Sequence, residues 1–191
     1  MSRARIEVRE VGHIDLKRIN KILAGVPDGV FKASHAALKR AGERAKTEAG
    51  RFIAAEYVIS KGDFMKNVTT TTDVRGGYSS GLTSLNLIFR GTPIPLMEFR
   101  VKYSRGGTLT AQVKRGGGGT IQSAFVARVF GPMRVFERVG KARLPVEQKY
   151  GPSTAQMMAN EEIVDAMSEV IQETFDERIE HEVWRLLSGG M

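Results

Sequence analysis

The chain has 191 residues, 41% of them hydrophobic, enough for one sizeable core and a better fit to one domain than to two. It has no cysteine, which excludes a disulfide framework and cysteine-ligated zinc and is compatible with a reducing cytoplasm. No run approaches the ~18 apolar residues of a membrane span and the opening MSRARIEVRE lacks the apolar core of a signal peptide, so neither a membrane protein nor one exported by the usual route is expected; the net charge of +8 points to a polyanionic partner.

Ala4 to Val11 alternates Ile6 and Val8 with charged residues, the pattern of a short edge strand or an arm with one apolar side. Asp15 can cap a short helix carrying Leu16, Ile19, Ile22 and Leu23, with Gly25 ending it in the left-handed conformation. From Asp28, a second candidate cap, Phe31, Leu38, Ala41, Ala45, Ala49 and Phe52 recur at helical spacing, which predicts a helix over 29–56. Its stripe is mostly alanine, so it can lie close against a sheet. Lys39, Arg40, Arg44, Lys46 and Arg51 cover the rest of it, more simply a solvated face than a DNA-reading one.

Asp63 can start a single turn with Phe64 and Met65. Threonine-rich Asn67 to Val74 and alternating Leu85, Leu87 and Phe89 then read as strands. Further alternation at Leu96, Phe99, Val101, Tyr103, at Leu109, Ala111, Val113, and at Phe125, Val129 brings the expected total to four to six antiparallel strands. Turns at 103–108 and at 115–120 join them, the second with four consecutive glycines suited to positive φ. Gly131-Pro132 breaks the next run, and Leu144-Pro145-Val146 reads as extended.

After Gly151-Pro152-Ser153 the period changes. Val164, Met167, Ile171, Phe175, Ile179, Val183 and Leu186 form one helical stripe, predicting a continuous helix over 155–187. The expected fold is therefore α+β, an antiparallel β-sheet packed against a long helix in the N-terminal half and a long C-terminal helix. One domain would comprise an arm and short helix (1–27), a helix-plus-sheet core (28–153) and the closing helix (154–191).

The segments Ile94-Pro95-Leu96 with Phe99, Ala124-Phe125-Val126, Val135-Phe136-Glu137-Arg138, Arg143-Leu144-Pro145-Val146 and Tyr150-Gly151-Pro152-Ser153 resemble, in order and spacing, the signature of the phage minor tail protein Z family. With the alanine-rich helix upstream and the closing helix downstream, the resemblance covers the chain from about Gly29 onward. It implies a virion structural protein of long-tailed phages or prophages that acts in tail completion and head–tail joining. It further implies assembly in the bacterial host cytoplasm, residence in the virion tail, other tail proteins as partners and a ring or cap of copies. No enzymatic activity, cofactor or small-molecule substrate is implied. The Gly116–Gly119 turn and the N-terminal extension lie outside the resemblance.

The charge is polarised. Residues 100–150 carry eleven Lys/Arg against two acids, a local net of +9, while residues 151–191 carry two basic against nine acidic side chains, a net of −7. Arg100, Lys102, Arg105, Lys114, Arg115, Arg128, Arg134 and Arg138 are the candidate assembly or DNA-facing surface, and Glu169, Glu173 and Glu177 the candidate acidic face between subunits. The alternative reading is a basic nucleic-acid-binding module, and the basic middle leaves room for non-specific contact with phage DNA.

Catalytic and metal signatures are missing. His13, His35 and His181 have no second ligand at metal-site spacing, and Ser123 and Ser153 sit in no nucleophile-elbow pattern. The run RGGGGT at 115–120 opens no helix and lacks the Gly-Lys-Ser/Thr of a phosphate-binding loop, so it reads as a hairpin tip that orders on contact with a partner.

Overall fold

The structure, a computed structural model, describes residues 2–8, 16–76, 83–104, 108–129 and 131–189. In chain order the elements are β1 (Ser2–Val8), α1 (Leu16–Ile22), α2 (Gly29–Glu56), α3 (Lys61–Lys66), β2 (Thr69–Gly76), β3 (Thr83–Gly91) and β4 (Pro93–Pro95). A 3₁₀ turn (Leu96–Glu98) follows, then β5 (Arg100–Tyr103), β6 (Leu109–Gln112), β7 (Gly119–Ile121), β8 (Ala124–Ala127), β9 (Arg134–Arg138), β10 (Val146–Gln148), β11 (Tyr150–Ser153), α4 (Thr154–Met158) and α5 (Glu161–Leu187). The fold is mixed α+β, with long helices α2 and α5 packed against strands. Eleven strands among the described residues exceed the four to six expected, because the central runs are cut into pieces of three to five residues, by Gly or Pro at several of the breaks and by the Gln122-Ser123 turn and Lys149 at others. They form four small sheets, ordered β1-β3-β2, β5-β6-β7, β10-β9-β8 and β11-β4.

Contacts group the chain into two compact units, one built from residues 4–49, 70–89 and 159–191, the other from residues 1–3, 50–69 and 90–158. In the first, Leu85 to Phe89 of central strand β3 are all buried, so the expected alternation gives way to burial on both faces. Asn86 is the polar member of that run, and its side-chain carbonyl accepts from Arg5 Nε at 2.9 Å and Nη2 at 2.6 Å. Strand β1, with Ala4 and Ile6 buried, is thereby fixed at the edge of the chain's own sheet.

Helix α2 has the bounds its spacing predicted. Ala33, Ala37, Leu38, Ala41, Ala45, Ala49 and Ile53 are buried, whereas Phe31 and Phe52 are half-buried, so the stripe ends on Ala33 and Ile53 instead of on the aromatics. The alanines allow a close approach. A Cβ at Gly42 would lie 2.9 Å from Thr72 Cγ2 and 3.1 Å from Leu85 Cδ1, which brings α2 down onto β2 and β3. Gly25 does not take the left-handed conformation; Asp28, the expected cap, does, with φ 56°, while its carbonyl accepts from Lys32 N–H. Asp15 lies outside the described residues.

The predicted helix 155–187 is broken in two. Asn160 is extended (φ −66°, ψ 129°) and its side chain accepts from Glu162 N–H at 3.2 Å, starting α5 afresh with Glu161 and Glu162 at the positive end of the helix dipole. Upstream, Ser153 and Gln156 make a reciprocal capping box for α4: Ser153 N–H donates to Gln156 Oε1 at 2.8 Å and Gln156 N–H to Ser153 Oγ at 3.2 Å. Helix α5 buries Ile163, Met167, Ile171, Phe175, Ile179 and Val183.

The second unit repeats this local logic. Helix α3 starts at a Ser60 cap instead of at Asp63: Asp63 N–H donates to Ser60 Oγ at 3.0 Å, and that hydroxyl donates to Asp63 Oδ2 at 2.6 Å. The Ser60 hydroxyl and then the Lys66 ammonium hold the Asp63 carboxyl below the ordinary carboxylate range. Phe64 is fully buried, and Thr154 Oγ1 donates to Asn67 O at 3.3 Å.

Candidate functional site

The basic stretch 100–150 forms two three-stranded antiparallel sheets within the second unit. In the β8-β9-β10 sheet the cations are engaged. Arg138 lies 4.9 Å from the ring centroid of Phe125, which itself stacks on Phe136 at 6.1 Å, and Lys149 Nζ meets Glu137 Oε2 at 2.7 Å. Arg134 reaches Glu98 at 3.6 Å. Arg128 is exposed beyond the end of β8.

Lys114 and Arg115 have structural work of a different kind, which corrects the reading of 115–120 as a tip awaiting a partner. Lys114 pairs with Glu56 at 2.6 Å and bridges Tyr57 in antiparallel fashion. The Arg115 guanidinium donates twice to Ala54 O, at 3.0 and 2.8 Å, and its backbone N–H donates to Glu56 O at 2.8 Å. Arg115 therefore satisfies carbonyls left open at the end of α2, where a cation is also favoured by the helix dipole. The glycines after it turn the chain back over β6: Gly116 has φ 76° and Gly118 φ 138°, and a Cβ at Gly118 would press on Gln112 Cβ at 3.3 Å.

What remains is one polar face. Register pairs Arg100 with Gln112 and Lys102 with Thr110, and Thr110 with Thr120, so these five side chains share a face of the β5-β6-β7 sheet. Together with the Gly116–Gly119 loop, a wall without side chains, they line an open groove of about 430 Å³. Arg100 donates to Gln112 Oε1 at 3.3 Å; Arg100 and Lys102 are exposed, and no lining residue is acidic. No acid occurs between Glu98 and Glu137. Arg105 lies outside the described residues. Of the eight candidate cations, the structure thus brings Arg100 and Lys102 into one site with Thr110, Gln112 and Thr120, which reasoning from charge alone had passed over. Strand alternation is the signal that could have found them.

The acidic counterpart is on α5. Glu169, Glu173 and Glu177 are exposed, and Glu177 pairs with Arg44 of α2 at 3.2 Å. A straighter line runs through Glu162, Asp165, Glu169, Glu173, Asp176 and Glu180, whose steps of 3, 4, 4, 3 and 4 average 3.6 residues, the helical repeat itself. Five of these six are exposed and Asp176 is half-buried.

At the end of the same helix Trp184 (69% exposed) and Leu187 join Ile22 of α1 around an apolar depression of about 260 Å³. Ser153 is fully buried in its capping role, and Ser123 occupies a turn with φ 61°. Among the described residues no three His, Asp or Glu side chains are placed to hold a metal ion, and no helix is long and apolar enough to cross a membrane. Set against known proteins, the chain matches no family model, no curated protein and no solved structure.

Proposed function

We propose that this chain is a structural minor tail protein of a long-tailed phage or prophage, acting in tail completion and head–tail joining through an assembly of copies, without enzymatic activity. The observation that carries the reading is the ordered series of segments from Ile94 to Ser153, whose members fall in two of the small sheets of one compact unit. Its members build β4, β8, β9, β10 and β11, with Tyr150 paired to Pro95, Ser153 to Pro93, and Gly151 held so close to Phe99 that a Cβ would lie 2.5 Å from the ring. Assembly is supported by two surfaces of opposite charge, the groove of Arg100 and Lys102 and the carboxylate line of α5, and by the exposed Trp184 cluster. A role as a general nucleic-acid-binding module is less well supported, because Lys114, Arg115, Arg134, Arg138 and Lys149 are engaged within the fold.

The test is electron microscopy of particles produced with and without the protein. The expected result is separate heads and tails in its absence, joined particles on adding it back, and its mass at the tail end. Complete infectious particles formed without it would refute the proposal.

A further inference from the structure

We infer that the groove between the β5-β6-β7 face and the Gly116–Gly119 loop is the docking site for the acidic face of α5 from a second copy of this chain. The inference rests on the reading of the protein as a self-assembling component and names the surfaces involved.

The groove offers two cations, two hydroxyls and an amide, with no carboxylate among its lining residues, so its occupant is anionic. Spacing then selects among anions. Arg100 and Lys102 stand two residues apart on a strand, about 6.7 Å at the rise of an extended chain, and Glu169 and Glu173 stand four apart on a helix, about 6 Å at the helical rise. Two successive carboxylates can therefore meet two successive cations, while Thr110 and Thr120 can donate to the same oxygens. The glycine wall matters as much as the charges. Four residues without side chains keep that wall low, which favours the approach of a helix some 10 Å wide to the sheet face.

The acidic line also lies on the right element. It runs opposite the buried stripe Ile163, Met167, Ile171 and Phe175, so a partner reaches it without disturbing the core. Of the exposed acids on this helix, Glu177 is engaged by Arg44. Groove and acidic line are different patches, so the contact is heterologous, each copy offering its groove to one neighbour and its helix to the next. That geometry yields rings or open chains of copies.

A charge-swap experiment decides it, read by sedimentation velocity at low salt over a range of protein concentrations. Wild-type protein should self-associate. Arg100→Glu with Lys102→Glu should weaken self-association roughly tenfold or more, and so should Glu169→Lys with Glu173→Lys, each pair placing like charges in the contact. Mixing the two reversed proteins should restore association, since each groove then faces a helix of opposite sign. All four residues are exposed, and circular dichroism of each variant checks its fold; Arg100→Gln with Lys102→Gln gives a milder second series.

Self-association unchanged by reversal, or reversed proteins that fail to associate when mixed, overturns the docking site. A groove variant that loses affinity for a single-stranded oligonucleotide while still self-associating like wild type also overturns it, in favour of a nucleic-acid groove. Groove-dependent self-association of a protein that has no effect on head–tail joining would leave the docking site standing and sink the tail reading instead.

Discussion

The two sheets cut from the basic middle of the chain, β8-β9-β10 and β5-β6-β7, each carry two Lys or Arg in their strands and treat them in opposite ways. In the first, Arg138 covers an aromatic ring and Lys149 and Arg134 meet carboxylates. In the second, Arg100 and Lys102 face solvent beside a neutral amide and two threonines. The difference comes from where the acids are: Glu137 and Glu147 lie in the strands of the first sheet and Glu98 reaches its Arg134, whereas none falls within the strands of the second. Net charge per stretch is therefore a poor guide to function. What separates a structural cation from an available one is whether the fold brings it a partner.

The largest expected effect separates the packed region from the open one through glycine. Gly151→Ala would place a Cβ 2.5 Å from the ring of Phe99, which is itself 6% exposed, and should cost about 2–3 kcal/mol, measured by urea denaturation. Gly119→Ala, with nothing within 4 Å of the new methyl, should change stability by no more than about 0.5 kcal/mol. Equal losses at both positions would show that the open face is as tightly determined as the packed one.

Arg115 tests a boundary case, a cation of the open sheet's loop that is nonetheless engaged. Arg115→Ala removes both guanidinium bonds to Ala54 O and should cost about 1–2 kcal/mol, with Arg115→Lys recovering part of it because a single ammonium can still face the helix end. Arg100→Ala loses only an exposed bond to Gln112 and should cost less than about 0.5 kcal/mol in the same assay.

Much of the fold was legible because it rests on local signals. Helix α2 follows an alanine stripe that only a helix would line up, and its bounds were predicted to the residue. The break before α5 was legible too, in the Ser153-Thr154-Ala155-Gln156 capping box and in Asn160, whereas the apolar period that predicts the helix begins only at Val164 and carries no information about residues 155–160. The groove was half legible. Alternation places Arg100 and Lys102 on one face and Thr110 and Gln112 on one face, whereas their pairing needs the hairpin register. The loop that closes the groove was out of reach, because its position depends on Arg115 reaching a carbonyl 61 residues away in the chain. No local rule announces such a bond.

The smallest effect is also the sharpest, because the two sheets should differ in sign. Lys149→Gln leaves Glu137 without its ion pair in a site where both side chains are only about one-third exposed, so stability should fall by about 0.5–1 kcal/mol. Lys102→Gln removes a charge that stands about 6.7 Å along the strand from Arg100, so relief of like-charge repulsion should raise stability by about 0.2–0.4 kcal/mol. Both shifts should shrink in ~1 M salt, where screening acts over about 3 Å, and the Lys102 shift, at a fully wet site, should vanish first. Measured as differences between variant and wild type in parallel denaturation curves, a loss of stability at Lys102 equal to that at Lys149 would mean that the open face already holds its cation with a partner inside the molecule, and the groove would then be no more available than its neighbour.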